Sequence, residues 1–282
     1  MGKINFLTIG DKKFFHTISL SVNQINRLYP DSNVFIYDWG FTDRQLRFFE
    51  ELSNVQIIKW RIHDYKIRIV ASWIKGLITG KFFSGNLIKS LRPVKHIRKE
   101  NIFINKIFCF LDYVEKFGGN FVFLDGDAFL INRFDEIEEQ EFDIGVTLRR
   151  KSEIKLDFGD CGVLNSGVIF FLGETNKNKM FLELWIKEVW RTNEPLIEQT
   201  SLSRMLLSIN PQVSSGHFEE KLFLESDGGK IVVKILPCEI YNYNWIEEFD
   251  PVSDARKVKI LHFKSGRFNT PLFKEIANKL SL

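Results

Sequence analysis

The sequence predicts an α/β fold, a single compact domain that carries a basic insertion. Strand-like and helix-like segments alternate along the chain, which is typical of a sheet with helices on both faces. A continuous apolar run, Phe121–Leu124, predicts a fully buried strand, and it ends in Asp125-Gly126-Asp127. The 282 residues contain no internal repeat or credible linker, so we expect one domain over residues 1–282.

The first sixty residues predict the parallel part of the sheet. A helix with apolar residues at helical spacing ends at Tyr29-Pro30-Asp31-Ser32, between two strand-like segments. A strand, a helix and a strand in this order favour parallel pairing with a right-handed crossover. We predict strands over 4–9, 34–37 and 55–60, and helices over 14–28 and 42–52.

Residues 61–100 interrupt the alternation. From Lys66 to Lys106 there are ten Lys or Arg residues and one acid, Glu100, with large apolar residues between them. Such a segment is typical of peripheral contact with an anionic membrane surface or of a site for an acidic acceptor. The alternative is a solvated insertion whose apolar face packs on the domain. We therefore expect either packing or membrane contact through residues 66–106.

The alternation resumes after the insertion. We predict helices over 104–117, 179–190, 199–208 and 273–280, and strands over 121–124, 142–147, 168–172, 231–236 and 258–263.

Composition excludes several classes of protein. The formal net charge of +3 is too small to indicate nucleic acid binding, and the hydrophobic content of 44% is that of a soluble protein. Three cysteines without metal-ligand spacing favour reduced thiols. The chain shows no secretory signal and no apolar stretch of about 20 residues, so we expect a cytoplasmic protein.

Asp125 and Asp127 follow a predicted strand that is apolar throughout, Phe121–Leu124. The carboxyl ends of parallel strands are where open α/β sheets bind ligands. Because like charges held close disfavour each other, two carboxylates at alternate positions favour a divalent cation that also binds phosphate oxygens. The alternative is an ordinary turn at the end of the strand.

Three further motifs follow in order. Asn165-Ser166-Gly167 predicts a turn that leads directly into a buried strand, and Glu198-Gln199 begins a helix just after Pro195. His262 ends an apolar strand and is followed by Lys264 and Arg267.

The four motifs, in this order and spacing, resemble the metal-dependent, nucleotide-sugar glycosyltransferases of the GT-A fold. The similarity is to the retaining galactosyl- and glucosyltransferases related to glycogenin and the bacterial lipopolysaccharide galactosyltransferases. It covers residues 4–270 apart from the basic segment. The resemblance implies a Rossmann-like mixed sheet, with a nucleotide-binding half over 1–130 and an acceptor-side half over 131–282.

The resemblance also implies the ligands. The donor is a nucleoside-diphosphate sugar, most simply a UDP-sugar, held through Mn²⁺ or Mg²⁺. The acceptor is a saccharide or a glycolipid, and the product belongs to surface polysaccharide or glycan synthesis.

The metal ligands that the resemblance implies are Asp125, Asp127 and His262. An imidazole with two carboxylates suits manganese, which accepts nitrogen and oxygen ligands. The alternative for His262 is a hydrogen-bonded histidine of the core. Lys264 is the implied phosphate cation, but the relatives carry a glycine and then Lys-Pro-Trp where this chain has Lys264-Ser265-Gly266-Arg267-Phe268. The choice between Lys264 and Arg267 stays open, with Lys264 preferred.

The resemblance assigns Asn165, Glu198 and Gln199 to the catalytic site. The Asn165 amide would read sugar or acceptor hydroxyls, Glu198 would bind sugar hydroxyls, and Gln199 would lie on the reactive face. The alternative for Glu198-Gln199 is a helix cap. Because no second carboxylate is placed as a base, retention of the anomeric configuration is favoured.

The remaining implied contacts are with the donor and the acceptor. Thr8 and Asp11 are expected to contact base or ribose, and Phe14 to stack on the base. Lys106 is expected at the phosphate or the sugar, with ordinary helix solvation as the alternative. Tyr241-Asn242-Tyr243-Asn244-Trp245 resembles an aromatic acceptor loop, or packs in the core.

Three other functions compete with glycosyl transfer. A sugar-1-phosphate nucleotidyltransferase shares this kind of sheet but needs a better phosphate loop than Ile9-Gly10-Asp11-Lys12-Lys13. A haloacid-dehalogenase-like phosphatase would carry Gly-Thr after the second aspartate, where this chain has Ala128-Phe129. A non-catalytic carbohydrate- or membrane-binding module does not need two carboxylates and a histidine.

Overall fold

The structure is a computed structural model that describes residues 4–79, 96–138, 140–150, 163–192, 194–210, 221–226, 229–264 and 270–279. The ten strands are β1 Asn5–Gly10, β2 Val34–Asp38, β3 Val55–Lys59, β4 Phe121–Asp125, β5 Ala128–Leu130, β6 Ile144–Leu148, β7 Leu164–Phe171, β8 Lys221–Ser226, β9 Gly229–Pro237 and β10 Ile260–His262. The helices are α1 Phe15–Leu28, α2 Asp43–Glu50, α3 Lys66–Thr79, α4 Ile97–Lys116, α5 Asp135–Glu138, α6 Thr175–Val189, α7 Ile197–Leu207, α8 Cys238–Tyr241 and α9 Pro271–Lys279. A short 3-10 helix covers Ile246–Glu248.

Eight strands form one mixed sheet in the order β3-β2-β1-β4-β7-β6-β9-β8, and β5 and β10 form a second, two-stranded sheet. The predicted parallel opening is confirmed, since β1 pairs in parallel with β2 and β2 with β3. The chain then crosses back, so that β4 pairs in parallel with the other side of β1. The strand order therefore reverses between β1 and β4, which is the point where open sheets bind ligands.

The strands of this sheet contribute alternate side chains to two apolar clusters. Phe121 and Phe123 of β4 join the cluster under α4, α6 and α7, whereas Val122 and Leu124 join the cluster under α1 and α2. All four are buried, which confirms the fully buried strand that the apolar run predicts. Helices therefore cover both faces of β4, and Asp125 lies at its carboxyl end.

Two predicted elements differ from the structure. The prediction of a turn at Asn165-Ser166-Gly167 is wrong, because β7 begins at Leu164 and contains all three residues. The pairing of β6 with β7 contains a bulge. Val146 of β6 pairs with Ile169, but the next residue, Thr147, pairs with Asn165, so the extra residues lie in β7. The helix predicted to begin at Ile104 begins at Ile97, which lengthens α4 by about two turns.

The basic insertion contains a helix that the pattern did not specify, α3, which packs on α4. Among the helices in the described part of the chain, none combines the length and the apolar character needed to cross a membrane.

Candidate active site

Asp125, Asp127 and His262 lie together, although 135 residues separate the second aspartate from the histidine along the chain. Asp125 is the last residue of β4, and Asp127 lies in the tight connection to β5. The antiparallel pairing of β10 with β5 places His262 opposite Ala128, beside both carboxylates. One ligand atom from each residue lies within 4.8 Å of the other two. The geometry therefore matches a site with two oxygen ligands and one nitrogen ligand.

Hydrogen bonds fix the orientation of the His262 ring. Its Nδ1 atom lies 2.8 Å from Oδ1 of Asn242, and Nδ2 of Asn242 donates to Oγ1 of Thr147 at 2.7 Å. The Thr147 hydroxyl in turn donates to the backbone carbonyl of Asn165 at 3.1 Å. Because the Asn242 oxygen can only accept, Nδ1 of His262 is the donor in this hydrogen bond, and Nε2 is the ring nitrogen left to face the aspartates.

The Nε2 atom of His262 faces the two aspartates. Nε2 lies 3.1 Å from Oδ1 of Asp127 and 3.9 Å from Oδ2 of Asp125. Asn242 and Thr147 are fully buried, so the network behind the ring is shielded from water. Sequence reasoning placed Asn242 in an aromatic acceptor loop and did not identify it as the partner of His262.

Gly167 makes room for this cluster. A β-carbon on Gly167 would lie 2.1 Å from Cε1 of His262 and 2.9 Å from Oδ2 of Asp125. Real side chains do not approach so closely, and the bulge in β7 is what brings this backbone against the ring. The glycine of the predicted motif therefore has a steric role at the metal-ligand cluster.

Lys106 of α4 connects the aspartates to α7. Its Nζ atom lies 2.8 Å from Oε1 of Glu198 and 3.5 Å from Oδ1 of Asp125, and it also donates to Ser166. The Ser166 hydroxyl donates to Oε2 of Glu198 at 3.0 Å. Lys106 is 7% exposed and Glu198 is 3% exposed, so the helix-solvation alternative for Lys106 is wrong.

The charges in this cluster are strongly coupled. Burial acts to lower the pKa of Lys106, but the Asp125 and Glu198 carboxylates outweigh it and the pKa is raised. Lys106 is therefore held in its charged form. Burial also raises the pKa of Glu198, and the charge of Lys106 opposes that shift.

The start of α7 is fixed by a buried carboxylate from α4. The two oxygens of Glu100 accept hydrogen bonds from the backbone N–H groups of Leu196 and Ile197, at 3.0 and 2.9 Å. Leu196 has a φ of 56°, in the left-handed region, so this helix begins abruptly. Burial raises the pKa of Glu100, and the two backbone hydrogen bonds oppose the shift. Glu100 thereby positions the first turn of α7, which carries Glu198 and Gln199.

Gln199 is buried and held from the β6 side of the site. Nη2 of Arg149, just after β6, donates to Oε1 of Gln199 at 3.2 Å. Asn165 is also buried, and its Oδ1 accepts from the backbone N–H of Gly167 at 3.1 Å. Glu198 and Gln199 therefore make tertiary contacts, which a simple helix cap would not.

The chain superposes on several solved glycosyltransferases. The chain superposes on the apo bifunctional glycosyltransferase WbbM with a TM-score of 0.54 at 12% identity, covering 98% of this chain and 51% of that one. It superposes on the galactosyltransferase LgtC, solved with donor and acceptor sugar analogues, with a TM-score of 0.52 at 12% identity, covering 99% and 97%. For mouse xyloside xylosyltransferase 1 in its apo form, the TM-score is 0.50 at 14% identity, covering 94% and 99%.

The chain has the GT-A glycosyltransferase fold. The predicted fold is thereby confirmed. No protein-family profile and no curated protein sequence matches the chain. The chain spans about half the length of WbbM and nearly all of LgtC. At these identities the likeness shows the fold alone, so the chemistry has to be argued from the residues themselves.

The residues predicted to bind the nucleotide lie at the same edge of the GT-A sheet. Ile9 of β1 is in register with Asp125, so Thr8 and Asp11 flank the edge where the aspartates lie. Asp11 is partly exposed, and its Oδ1 accepts the backbone N–H of Lys13. Phe14 is half-buried against Gly126, where a β-carbon would lie 3.1 Å from its ring.

The cation proposed for phosphate lies beside the second aspartate. Phe263 donates its backbone N–H to the Asp127 carbonyl at 2.9 Å, and Lys264 follows it and is partly exposed. Arg267, the other candidate, lies outside the described residues.

The predicted aromatic acceptor loop packs in the core. Tyr241, Tyr243 and Trp245 are each at most 8% exposed and belong to the apolar clusters beneath the sheets. Tyr241 also donates its hydroxyl to Glu136, and Arg150 covers the Trp245 ring at 3.8 Å. The core-packing alternative is therefore correct for these rings, because they are part of the apolar clusters.

Proposed function

We propose that this protein is a metal-dependent glycosyltransferase, a hexosyltransferase that moves a sugar from a UDP-sugar to a saccharide or lipid-linked acceptor in polysaccharide or glycan synthesis. The observation that carries the proposal is the Asp125, Asp127 and His262 cluster, which lies at the strand-order reversal of a GT-A fold. A non-catalytic module would not require these three side chains at that point of the sheet.

The chemistry of the donor set supports Mn²⁺, with Mg²⁺ as the alternative. Two carboxylates supply hard oxygen ligands, and the oriented Nε2 atom of His262 supplies a nitrogen ligand that manganese accepts. Because Gly167 has no β-carbon, the His262 ring and the Asp125 carboxylate can occupy the space beside its backbone. We therefore assign Asp125, Asp127 and His262 as the residues that would hold the ion.

Sugar transfer breaks the bond between the anomeric carbon and a phosphate oxygen, so negative charge develops on the departing nucleoside diphosphate. The bound ion supplies Lewis-acid stabilisation of that charge. Lys264, beside Asp127, is proposed to add a second positive charge at the diphosphate. Thr8 and Asp11, at the end of β1, are proposed to bind the base or the ribose.

The donor sugar would lie between the metal ligands and the start of α7. Glu198 and Lys106 form a buried ion pair there, and we propose that these two charged groups bind sugar hydroxyls when the donor is present. Gln199, held by Arg149, is proposed on the reactive face, and the Asn165 amide is proposed to read hydroxyls. One solved LgtC is an active-site mutant in which a glutamine is replaced by glutamate, which agrees with a role for an amide at such a site.

Retention of the anomeric configuration is part of the proposal. Glu198, which Lys106 connects to Asp125, is ion-paired at 2.8 Å with Lys106 and is 3% exposed. A carboxylate in that state is poorly placed to deprotonate an incoming hydroxyl as an inverting base would. The anomeric configuration of the product, read by proton NMR, tests this part directly.

A cytoplasmic location is also proposed. Cys109 and Cys238 are buried free thiols, which supports a reducing compartment.

The proposal is tested by binding and by turnover. UDP affinity is measured by calorimetry with Mn²⁺ and with EDTA, and hydrolysis is measured over a panel of nucleotide sugars. We expect Mn²⁺ to be required for both, and Asp127→Asn to remove the effect of Mn²⁺, whereas the control Asp135→Asn, at a surface carboxylate, leaves it intact.

Two results would contradict the proposal. The first is Mn²⁺-independent UDP binding that is equal in wild type and Asp127→Asn. The second is pyrophosphate release from a sugar 1-phosphate and a nucleoside triphosphate, which would identify a nucleotidyltransferase.

A further inference from the structure

Helix α3 displays an apolar stripe to solvent. Ile67, Ile74 and Ile78 are 87%, 44% and 81% exposed, and Ala71 between them is exposed too. At 100° per residue these four positions fall within an arc of about 60° on the helix. Large aliphatic side chains this exposed, and aligned along one helix face, indicate a surface that is covered by a partner.

The opposite face of α3 is firmly attached to the domain. Ile69 is 3% exposed and belongs to the main core cluster. The Ser72 hydroxyl donates to the backbone carbonyls of Trp190 and Thr192, and the Arg68 guanidinium stacks 3.9 Å from the centre of the Trp190 ring. These contacts fix the rotation of α3 about its axis, so the isoleucine stripe faces away from the domain.

The charge around the stripe is positive. No residue from Lys66 to Lys99 is acidic, and the one acid of the basic segment, Glu100, is 2% exposed and occupied at the start of α7. Lys75 lies beside the stripe on the helical projection, and further round lie Arg68, which stacks on Trp190, and Lys66, which is ion-paired with Asp64 at 3.0 Å. An apolar face bordered by cations is the pattern of a helix that lies in the interface of an anionic bilayer.

We propose that α3 is a membrane-docking helix, which inserts Ile67, Ile74 and Ile78 into the interface of an anionic lipid surface. The flanking cations attract the lipid headgroups, and the isoleucines lose their contact with water. The helix is packed on α4, the helix that also carries Lys106 of the candidate active site. This inference does not rest on the proposed function, since it concerns only the surface of α3.

The test is sedimentation of the full chain with vesicles of phosphatidylcholine alone and of phosphatidylcholine with phosphatidylglycerol. No nucleotide sugar is present, so the outcome is independent of enzymatic activity. We expect binding only to the anionic vesicles, and we expect added salt to weaken it. Ile67→Ser with Ile74→Ser and Ile78→Ser should weaken it about tenfold or more, and Lys75→Gln about fivefold.

A matched control is Val252→Ser, at an aliphatic side chain that is 82% exposed and lies far from α3 in the sequence. It should leave vesicle binding unchanged, and every variant should keep the wild-type melting temperature because the altered side chains are exposed. Two results would overturn the proposal: equal binding to neutral and anionic vesicles, or wild-type binding by the triple serine variant. Concentration-dependent dimerisation that the serine variant abolishes would likewise overturn it, by assigning the stripe to contact between copies of the chain.

Discussion

Replacing Gly167 by alanine should disable the metal-ligand cluster while leaving the chain folded. The added β-carbon would lie 2.1 Å from Cε1 and 2.7 Å from Nδ1 of His262, and 2.9 Å from Asp125. Ordinary carbon contacts begin at about 3.5 Å, so the ring or the strand must move by more than about 1 Å. The ring cannot simply retreat, because Asn242 holds Nδ1 at 2.8 Å. Metal ligands tolerate displacements of only about 0.2 Å, so we expect Mn²⁺ affinity to fall about 100-fold, or roughly 2.7 kcal/mol.

The control for Gly167→Ala is Gly145→Ala in the adjacent strand β6. Its β-carbon would lie 2.9 Å from side-chain atoms of both Leu236 and Phe142, so it is also crowded, though less than the 2.1 Å approach at Gly167, and its neighbours are apolar. Each variant should lose about 1–3 kcal/mol of unfolding free energy through overpacking. Only Gly167→Ala should lose Mn²⁺ affinity, measured by electron paramagnetic resonance of the free ion. Wild-type affinity in Gly167→Ala, or equal loss in both variants, would refute the steric argument.

Three further changes probe the groups around the cluster. Asn242→Ala should weaken Mn²⁺ binding about 10–100-fold because the His262 ring loses its orienting acceptor, and unchanged affinity would show that the hydrogen bond is not needed. Lys106→Met should lower the free energy of unfolding in urea by about 3 kcal/mol, because it leaves buried carboxylates without a compensating charge. The control Lys116→Met, at a surface ion pair of the same helix, should lower it by less than about 1 kcal/mol. Burial raises the pKa of Glu100 above its ordinary 4.5, so the stability that Glu100 contributes is full below that pH and is lost as the pH rises through the folded pKa. Urea unfolding from about pH 4 to about pH 7 should therefore show the wild type losing stability relative to Glu100→Gln, and a pH-independent difference would contradict this sign.

The parts of the fold that follow from local pattern are predictable from the sequence. Alternation of strands and helices gives the parallel strands β1, β2 and β3, and the apolar run before Asp125 gives the central strand β4. His262 is less accessible to such reasoning, because its place depends on a three-residue strand, β10, pairing with β5. Periodicity carries little information over three residues, so only the resemblance of ordered motifs indicated that His262 joins the aspartates.

The residues that support the site through hydrogen bonds cannot be predicted from sequence patterns. Asn242 and Glu100 act across the fold, through hydrogen bonds to His262 and to the start of α7. Neither residue type is unusual in its local sequence, since an asparagine in a loop and a glutamate in a helix are common. Their roles follow from tertiary contacts alone, and such contacts are where a single sequence carries the least information.

The charges around Asp125, Asp127 and His262 favour a bound cation, and this reason does not depend on similarity to any known glycosyltransferase. Asp127 contacts His262, Asp125 contacts His262 and Lys106, and Lys106 contacts Glu198. Among these contacts Lys106 is the single cation against three carboxylates, so negative charge is in excess around the ligand atoms. Uncompensated charge at low exposure is costly, and a divalent cation at the ligand atoms of Asp125, Asp127 and His262 removes that imbalance. Mn²⁺ should therefore raise the melting temperature even without nucleotide, and an unchanged melting temperature at saturating Mn²⁺ would show that the cluster is balanced in another way.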